Sequence, residues 1–198
     1  MNDKVTKVRP AYPLGEEPNL CIPEKYNAYH RFLLGRLGTN PLVAICMNPS
    51  AANEDYSDRT INRIINASKK LGCDGWVVAN VYPERATNAS DLDEFNSELV
   101  DENVRIIMDF LIQNKITEVW GAWGNLGHPS LVQGRDTLLS FFKESGIRVY
   151  SFAPLTKWGQ PVHPLNRSVK QNISENGKIY LWEPLKTPVE HLERQIYL

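Results

Sequence analysis

The chain has 198 residues, of which 42% are hydrophobic and 23% are charged, and its formal net charge is −1. This is close to the average composition of globular proteins, so it indicates neither a disordered chain nor a membrane protein, and no apolar run approaches the roughly 18 residues of a membrane-spanning helix. The near-zero charge argues against a protein that holds nucleic acid by a large basic surface. We expect a single α/β domain over residues 1–198 that acts in the cytoplasm, since the N-terminus lacks the apolar core of a signal peptide.

The N-terminal part is expected to contribute an arm and one early strand. Residues 1–25 contain four of the 13 prolines and little periodicity, which is typical of an extended arm on the surface. The stretch "YHRFLLGRLG", residues 29–38, mixes aliphatic and aromatic residues with two glycines and predicts a strand followed by a turn.

Strands and helices then alternate up to Leu155. The predicted strands are apolar on both faces and lie at residues 42–47, 75–82, 116–124 and 147–155. Between them, apolar residues spaced three and four apart predict helices at residues 59–71, 99–112 and 131–144. This order predicts an α/β sandwich with a mostly parallel central sheet of four to five strands. Residues 169–198 are expected to form a C-terminal tail with one short strand, "KIYLW", on a sheet edge.

Two asparagines end neighbouring predicted strands, where α/β proteins usually bind their ligands. Asn48 follows an apolar run and precedes Pro49, so it is either a turn residue bonded to its own backbone or an amide that holds water or substrate. Asn80 interrupts the second strand at an equivalent place. Because one amide presents a donor and an acceptor together, the pair matches the edge of a nucleobase.

Further polar residues follow the strand ends. His163, between two prolines in "PVHPLNR", is either a structural histidine or part of the site. Ser50 lacks the G-x-S-x-G elbow of a nucleophile, so we expect it to cap a helix or to bond substrate. Three cations at these strand ends are either solvated or bind phosphate: Arg85, Lys157 and Arg167.

The acidic run "NEDYSD", residues 53–58, is expected to start the first helix, with Ser57 or Asp58 as its N-cap. A metal site made by Glu54, Asp55 and Asp58 would lack a fixed ligand spacing, so neither a metal nor another cofactor is expected. The three cysteines, at wide spacings, are expected to be reduced. Trp120, Trp123 and Trp158 belong either to the pocket or to the core.

Four segments taken in order resemble the family named domain of unknown function 1643. They are "MNPSAANEDYSDRTINRI", "GWVVANVYPERAT", "VWGAWG" and "LTKWGQPVHPL", within residues 29–167. That family has no settled activity. "CMNPS", "NVYP" and the late His-Pro also resemble, more distantly, the motifs of the uracil-DNA glycosylase superfamily, and its single-strand-selective and mismatch-specific branches above all, which have G-M-N-P-G or G-I-N-P-G at the first position.

This second resemblance implies a uracil-DNA-glycosylase-like three-layer α/β/α sandwich and a role for each matching residue. Asn48 would orient the attacking water, Asn80 would bond the base edge, and His163 would support the base oxygen as negative charge develops. Tyr56 would stack on the base. The chain departs from the pattern at Ser50, which replaces a glycine, and at "HPLNR", which replaces His-Pro-Ser-Pro.

Two functions are therefore expected, and a third ranks below them. The first is hydrolysis of an N-glycosidic bond, of a base in DNA or of a modified nucleotide. The second is a binding module that holds a nucleobase, a nucleotide or single-stranded DNA without chemistry. A metal-dependent enzyme using the "NEDYSD" carboxylates ranks last. No membrane partner is expected.

Overall fold

The computed structural model describes residues 10–182, which form a mixed α/β structure with one seven-stranded sheet. The strands are β1 (Leu20–Ile22), β2 (Leu33–Arg36), β3 (Pro41–Cys46), β4 (Gly75–Asn80), β5 (Glu118–Gly121), β6 (Arg148–Ser151) and β7 (Ile179–Tyr180). The helices are α1 (Arg59–Lys70), α2 (Ser97–Gln113) and α3 (Pro129–Glu144), with short 3₁₀ turns at Ala89–Asp91 and Glu175–Gly177.

The sheet has the order β1-β2-β4-β3-β5-β6-β7. Its four central strands, β4, β3, β5 and β6, run parallel, while β1, β2 and β7 are added antiparallel at the two edges. The predicted parallel centre is thus confirmed, but the expected number of four to five strands is wrong. Strand β1 was not predicted, because its three residues are too few to show an alternating pattern. Its pairing with β2 forms only when the chain folds.

Helices cover both faces of the sheet. Along β3, Leu42 and Ala44 pack with the buried residues of α1, whereas Val43 and Ile45 pack with those of α2 and α3. All six residues of β3 are buried, as are all six of β4, which explains why both strands read as continuous apolar runs.

Helix α1 begins and ends where the sequence indicates. Its N-cap is Asp58, whose carboxylate accepts from the backbone N–H of Ile61 at 2.9 Å, in agreement with the prediction of Ser57 or Asp58. The chain leaves the helix through Gly72, whose φ of +70° favours glycine. Ile61, Ile64 and Ile65 form its buried face.

The segment predicted as an extended arm packs against the sheet where it is described. Tyr12 is buried, its ring stacks on Trp76, and its hydroxyl donates to the carbonyl of Asn53 at 2.6 Å. The strand "KIYLW" is confirmed as β7 at the opposite edge of the sheet. Residues 1–9 of the arm and 183–198 of the predicted tail lie outside the described residues.

Two of the three tryptophans that the sequence left open belong to the core. Trp120 and Trp123 are buried, and the Trp123 indole N–H donates to the Gln160 side-chain oxygen at 2.8 Å. Trp158 is 62% exposed. Between residues 10 and 182, no helix combines the length and the apolar character needed to cross a membrane.

Candidate functional site

A cavity of about 220 Å³ lies at the carboxyl ends of β3 and β4. Its walls come from these strand ends, from the first turn of α1 and from the loop after β6. The lining residues are Arg31, Cys46, Met47, Asn48, Ser50, Asp58, Thr60, Ile61, Val78, Asn80, Ala86, Thr87 and His163. Four of the expected site residues therefore face one cavity: Asn48, Ser50, Asn80 and His163. We call it the base pocket, after the nucleobase that the sequence leads us to expect.

Asn80 is a buried polar side chain of the base pocket whose hydrogen-bonding capacity is not filled. It is 1% exposed, and its side-chain oxygen has no hydrogen-bond partner within residues 10–182. Its backbone carbonyl is held by the Asn103 amide, which donates from α2 at 3.0 Å. Because a buried polar atom without a partner costs free energy, the Asn80 amide is suited to receive a ligand.

Asn48 is held by the protein through one end of its amide. The amide nitrogen donates to the carbonyls of Ala86 at 2.9 Å and of Pro49 at 3.2 Å. The turn-like bond to its own neighbour, Pro49, is therefore present, and the bond to Ala86 ties the end of β3 to the loop after β4. Since the nitrogen is engaged, the side-chain oxygen is left as an acceptor that no residue between 10 and 182 uses.

His163 is held in a defined tautomer. Its Nδ1 accepts from the backbone N–H of Leu165 at 3.2 Å, so the neutral ring carries its proton on Nε2. Burial lowers the pKa of His163, and the negative charge of Asp58 opposes that effect only in part. The imidazole is thus a neutral donor at physiological pH.

Gly124, the last residue of "VWGAWG", positions His163 from the neighbouring strand end. Its φ is +71°, and a Cβ at this position would lie 2.9 Å from the His163 Cβ. Only glycine allows both the backbone turn and this close approach.

Arg31 is a pocket residue that the sequence reasoning missed. It is 2% exposed, its Nη1 donates to the Ala52 carbonyl at 2.7 Å, and its Nε has no partner in the described part of the chain. Burial, and then repulsion by Arg85, lowers its pKa to about 10, so it stays charged at neutral pH. The available signal was a lone cation immediately before the apolar run "FLL", a position that places its charge at the edge of the core.

Four other candidate residues lie outside the base pocket. Arg85 donates to the backbone carbonyls of Asn27, Ser50 and Ala52, so it clamps the loops that form the pocket wall. Lys157 lies over the exposed ring of Trp158, with its Nζ 4.3 Å from the ring centroid. Tyr56 is 43% exposed, and Arg167 lines a separate groove.

The "NEDYSD" loop is organised by hydrogen bonds of its own. The Asn53 side-chain oxygen accepts from the backbone N–H groups of Asp55 and Tyr56, and Asp58 caps α1. Over residues 10–182 there is no group of three or more His, Cys, Asp or Glu side chains placed to hold a metal ion. The three cysteines are free, and burial raises the pKa of the Cys46 thiol in the base pocket to about 12.

The fold and the pocket define a class, a mixed α/β protein with a polar cavity at the carboxyl ends of parallel strands. Within it, the chain belongs to the family described as protein of unknown function (DUF1643), whose model matches residues 31–165. All residues that line the base pocket fall inside this range. No curated protein and no solved structure matches the chain, so the distant resemblance to uracil-DNA glycosylases stays a prediction.

Proposed function

We propose that the base pocket receives a nucleobase and that the protein hydrolyses the N-glycosidic bond of a base in DNA or of a modified nucleotide. The observation that carries this proposal is the buried Asn80 amide with its unpartnered oxygen, in the same cavity as Asn48 and His163. At about 220 Å³ the cavity is below the usual range of roughly 300–1,000 Å³ for drug-sized ligands, which suits a single planar base.

Each of the three side chains has a role that its hydrogen bonds support. The Asn48 oxygen accepts from the attacking water and orients it toward the anomeric carbon of the sugar. The Asn80 amide bonds the edge of the base, and the His163 Nε2–H donates to a base oxygen as negative charge develops there. The bond from the anomeric carbon to the base nitrogen breaks, the base leaves with the electron pair, and the proton lost by the water balances the one the base takes up.

We also propose that the fold is the three-layer α/β/α sandwich of the uracil-DNA glycosylase superfamily. Support comes from the two core clusters, one formed with α1 and one with α2 and α3, on opposite faces of the sheet. The Asn-Pro pair one residue after β3 and the Asn at the end of β4 are in agreement with that superfamily's motif order. A cytoplasmic site of action is part of the same proposal.

The direct test is base release by the purified protein. Oligonucleotides that carry uracil or one of a panel of modified bases, and the matching free nucleosides, would be incubated with it, and free base and abasic product would be measured. We expect release from at least one substrate, reduced about 10²–10³-fold by His163→Ala, which removes the N–H donor to the developing negative charge. Absence of release from every substrate would count against hydrolysis.

The Asn80→Ala variant should separate an effect on the rate of base release from an effect on protein stability. Because the Asn80 side chain has no hydrogen-bond partner within residues 10–182, its loss should leave the free energy of unfolding nearly unchanged. The base contact is worth about 1–3 kcal/mol, so the rate should fall roughly 5–150-fold. Asn114→Ala, at the end of α2 and bonded only to the Phe110 carbonyl, is the control for loss of an asparagine elsewhere.

A second function, binding without chemistry, is favoured by two observations. The Asn48 amide nitrogen is occupied by backbone carbonyls, and the single carboxylate of the base pocket, Asp58, already caps α1. In that case nucleotides or bases raise the melting temperature of the protein, Asn80→Ala and His163→Ala abolish the rise, and no base is released.

A further inference from the structure

A second cavity, of about 330 Å³, lies between α1 and the segment after His163. We call it the arginine groove. Its lining residues are Arg59, Asn62, Arg63, Asn66, Pro164, Leu165 and Arg167. Three of these seven side chains are cationic, two are amides, and none is acidic.

The three guanidinium groups have no partner in the part of the chain that the structure describes. All three arginines are exposed, and no residue between 10 and 182 forms a hydrogen bond or an ion pair with the guanidinium group of Arg59, Arg63 or Arg167. Neighbouring like charges without a counter-ion repel one another, so this arrangement favours an anion between them.

A cavity near the amino ends of the parallel strands shows the opposite arrangement. Arg148 and Lys178 line it, but both are bonded to the Glu118 carboxylate, at 2.6 Å and 2.7 Å. The charges of Arg148 and Lys178 are therefore already neutralised within the protein, whereas those of the arginine groove have no counter-ion among residues 10–182.

The arginine groove and the base pocket are built from the same two segments. On α1, Thr60 and Ile61 face the base pocket, while Arg59, Asn62 and Arg63 face the groove. On the loop, His163 faces the pocket, and Pro164 and Leu165, the next two residues, face the groove. The arginines of the groove therefore lie on or next to the segments that form the wall of the base pocket.

We propose that the arginine groove binds the phosphodiester backbone of a single-stranded nucleic acid whose target base enters the base pocket. This inference rests on the proposed function and selects a strand, rather than a free nucleoside, as the substrate. Planar guanidinium groups match the geometry of phosphate oxygens. A single strand has no base pair to break, so placing one of its bases in a cavity costs the least free energy. A net charge of −1 with one local cationic groove also suits a short single-stranded footprint better than a long duplex.

The test measures binding of a fluorescently labelled oligothymidine of about 12 nucleotides by anisotropy, over a series of salt concentrations. We expect Arg59→Ala, Arg63→Ala and Arg167→Ala together to weaken binding by at least tenfold at low salt. Because each phosphate contact to a single strand contributes about 0.7 to the slope of log K against log salt, the slope should fall by about 2.

The control removes three positive charges elsewhere, by Lys25→Ala, Arg105→Ala and Lys143→Ala. These residues are exposed; Arg105 lies on α2 and Lys143 on α3, which cover the other face of the sheet from α1. If the control variant binds within about threefold of the unmodified protein, the effect is local to the groove. Equal losses of affinity in both triple variants would show that the effect comes from net charge alone. Wild-type affinity in the groove variant would overturn the proposal.

Two further measurements separate strand binding from other outcomes. Inorganic phosphate or thymidine monophosphate that competes as well as the oligonucleotide, mole for mole, would overturn a strand groove in favour of a single-phosphate site. Asn80→Ala should leave the slope of log K against log salt unchanged, because the backbone contacts are intact. Strand binding through the arginines without release of any base would leave the groove standing and refute the hydrolase, so the two failures are distinguishable.

Discussion

Asn48 and Asn80 are identical side chains at the ends of adjacent strands, but they differ in their hydrogen bonds. The Asn48 nitrogen donates to the Ala86 and Pro49 carbonyls, which leaves the side-chain oxygen as an acceptor. Asn80 is deeper, and its oxygen has no partner in the part of the chain that the structure describes. The first can orient a small molecule such as water, and the second can bond a buried ligand edge.

The contact between Gly124 and His163 leads to a prediction at the same scale. Gly124→Ala should lower the free energy of unfolding by about 2–4 kcal/mol, because left-handed backbone costs about 1–2 kcal/mol and the new Cβ meets the His163 Cβ at 2.9 Å. Ligand affinity or base release should fall as well, since the imidazole must move. Urea unfolding and the activity assay measure the two effects.

Gly159→Ala is the matched control, because Gly159 has the same φ of +71° but nothing within 4 Å of the new Cβ. It should show only the backbone cost, about 1–2 kcal/mol, with no change at the base pocket. Equal behaviour of the two variants would contradict the positioning role of Gly124.

At the scale of the elements, α1 serves both the core and the site. Its isoleucine face is buried against the sheet, and its first turn separates the base pocket from the arginine groove. The helix must therefore begin at the correct residue for both cavities to form, and Asp58 determines where it begins.

We predict that Asp58→Ala lowers the free energy of unfolding by about 1 kcal/mol, the usual cost of losing an N-cap, and also weakens ligand binding. Asp58→Asn should restore most of the stability, because asparagine caps helices as well as aspartate does. Thermal or urea unfolding gives the stability, and ligand-induced melting shifts give the binding.

Asn96→Ala serves as the comparison, since Asn96 caps α2 by accepting from the Leu99 N–H at 3.1 Å, at a helix that does not line the base pocket. A similar loss of stability without loss of binding is expected there. If both cap variants weaken binding equally, the effect of Asp58 is one of global stability alone.

At the scale of the whole molecule, the two ends of the parallel strands differ in how their polar groups are paired. The carboxyl ends hold the base pocket with its unpartnered groups. Toward the amino ends, the Glu118 carboxylate accepts from Arg148 at 2.6 Å, Lys178 at 2.7 Å and Tyr180 at 2.8 Å, and so joins β5, β6 and the residues around β7. The charged cluster around Glu118 and the base pocket thus lie at opposite ends of the parallel strands.

The charge of Glu118 predicts that Glu118→Gln lowers the free energy of unfolding by an amount that depends on pH. Burial raises the pKa of Glu118, but the bonds from Lys178 and Tyr180 and the nearby cations outweigh burial and hold the pKa below its usual 4.5. The stabilisation is therefore present above pH 4.5 and is lost as the pH falls through the lower pKa of the folded state. Urea unfolding should show a deficit of about 2 kcal/mol at neutral pH that shrinks below about pH 4.5.

Ligand binding at the base pocket should be unchanged in Glu118→Gln, because the cluster lies away from it. Asp109→Asn is the control, since Asp109 belongs to an exposed pair with Arg105 at 3.7 Å and should change stability by less than about 0.5 kcal/mol. A deficit that does not depend on pH would contradict the role of the Glu118 charge.

The order of strands and helices, the cap of α1 and the strand-end positions of Asn48 and Asn80 were predictable, because they follow from apolar periodicity and capping residues within about a dozen neighbours. The edge strand β1 was not predictable in this way, because its three residues show no periodicity and its partner β2 lies further along the chain.

The chain by itself thus determined the elements and the polar residues that end them, because local side-chain patterns select local backbone structure. Only the tertiary structure decided that Arg31 shares the base pocket, that Arg85 clamps three loop carbonyls, and that Arg59, Arg63 and Arg167 meet in one groove. These contacts join residues up to about a hundred positions apart, and their geometry depends on how the whole sheet twists and packs, which no short stretch of sequence specifies.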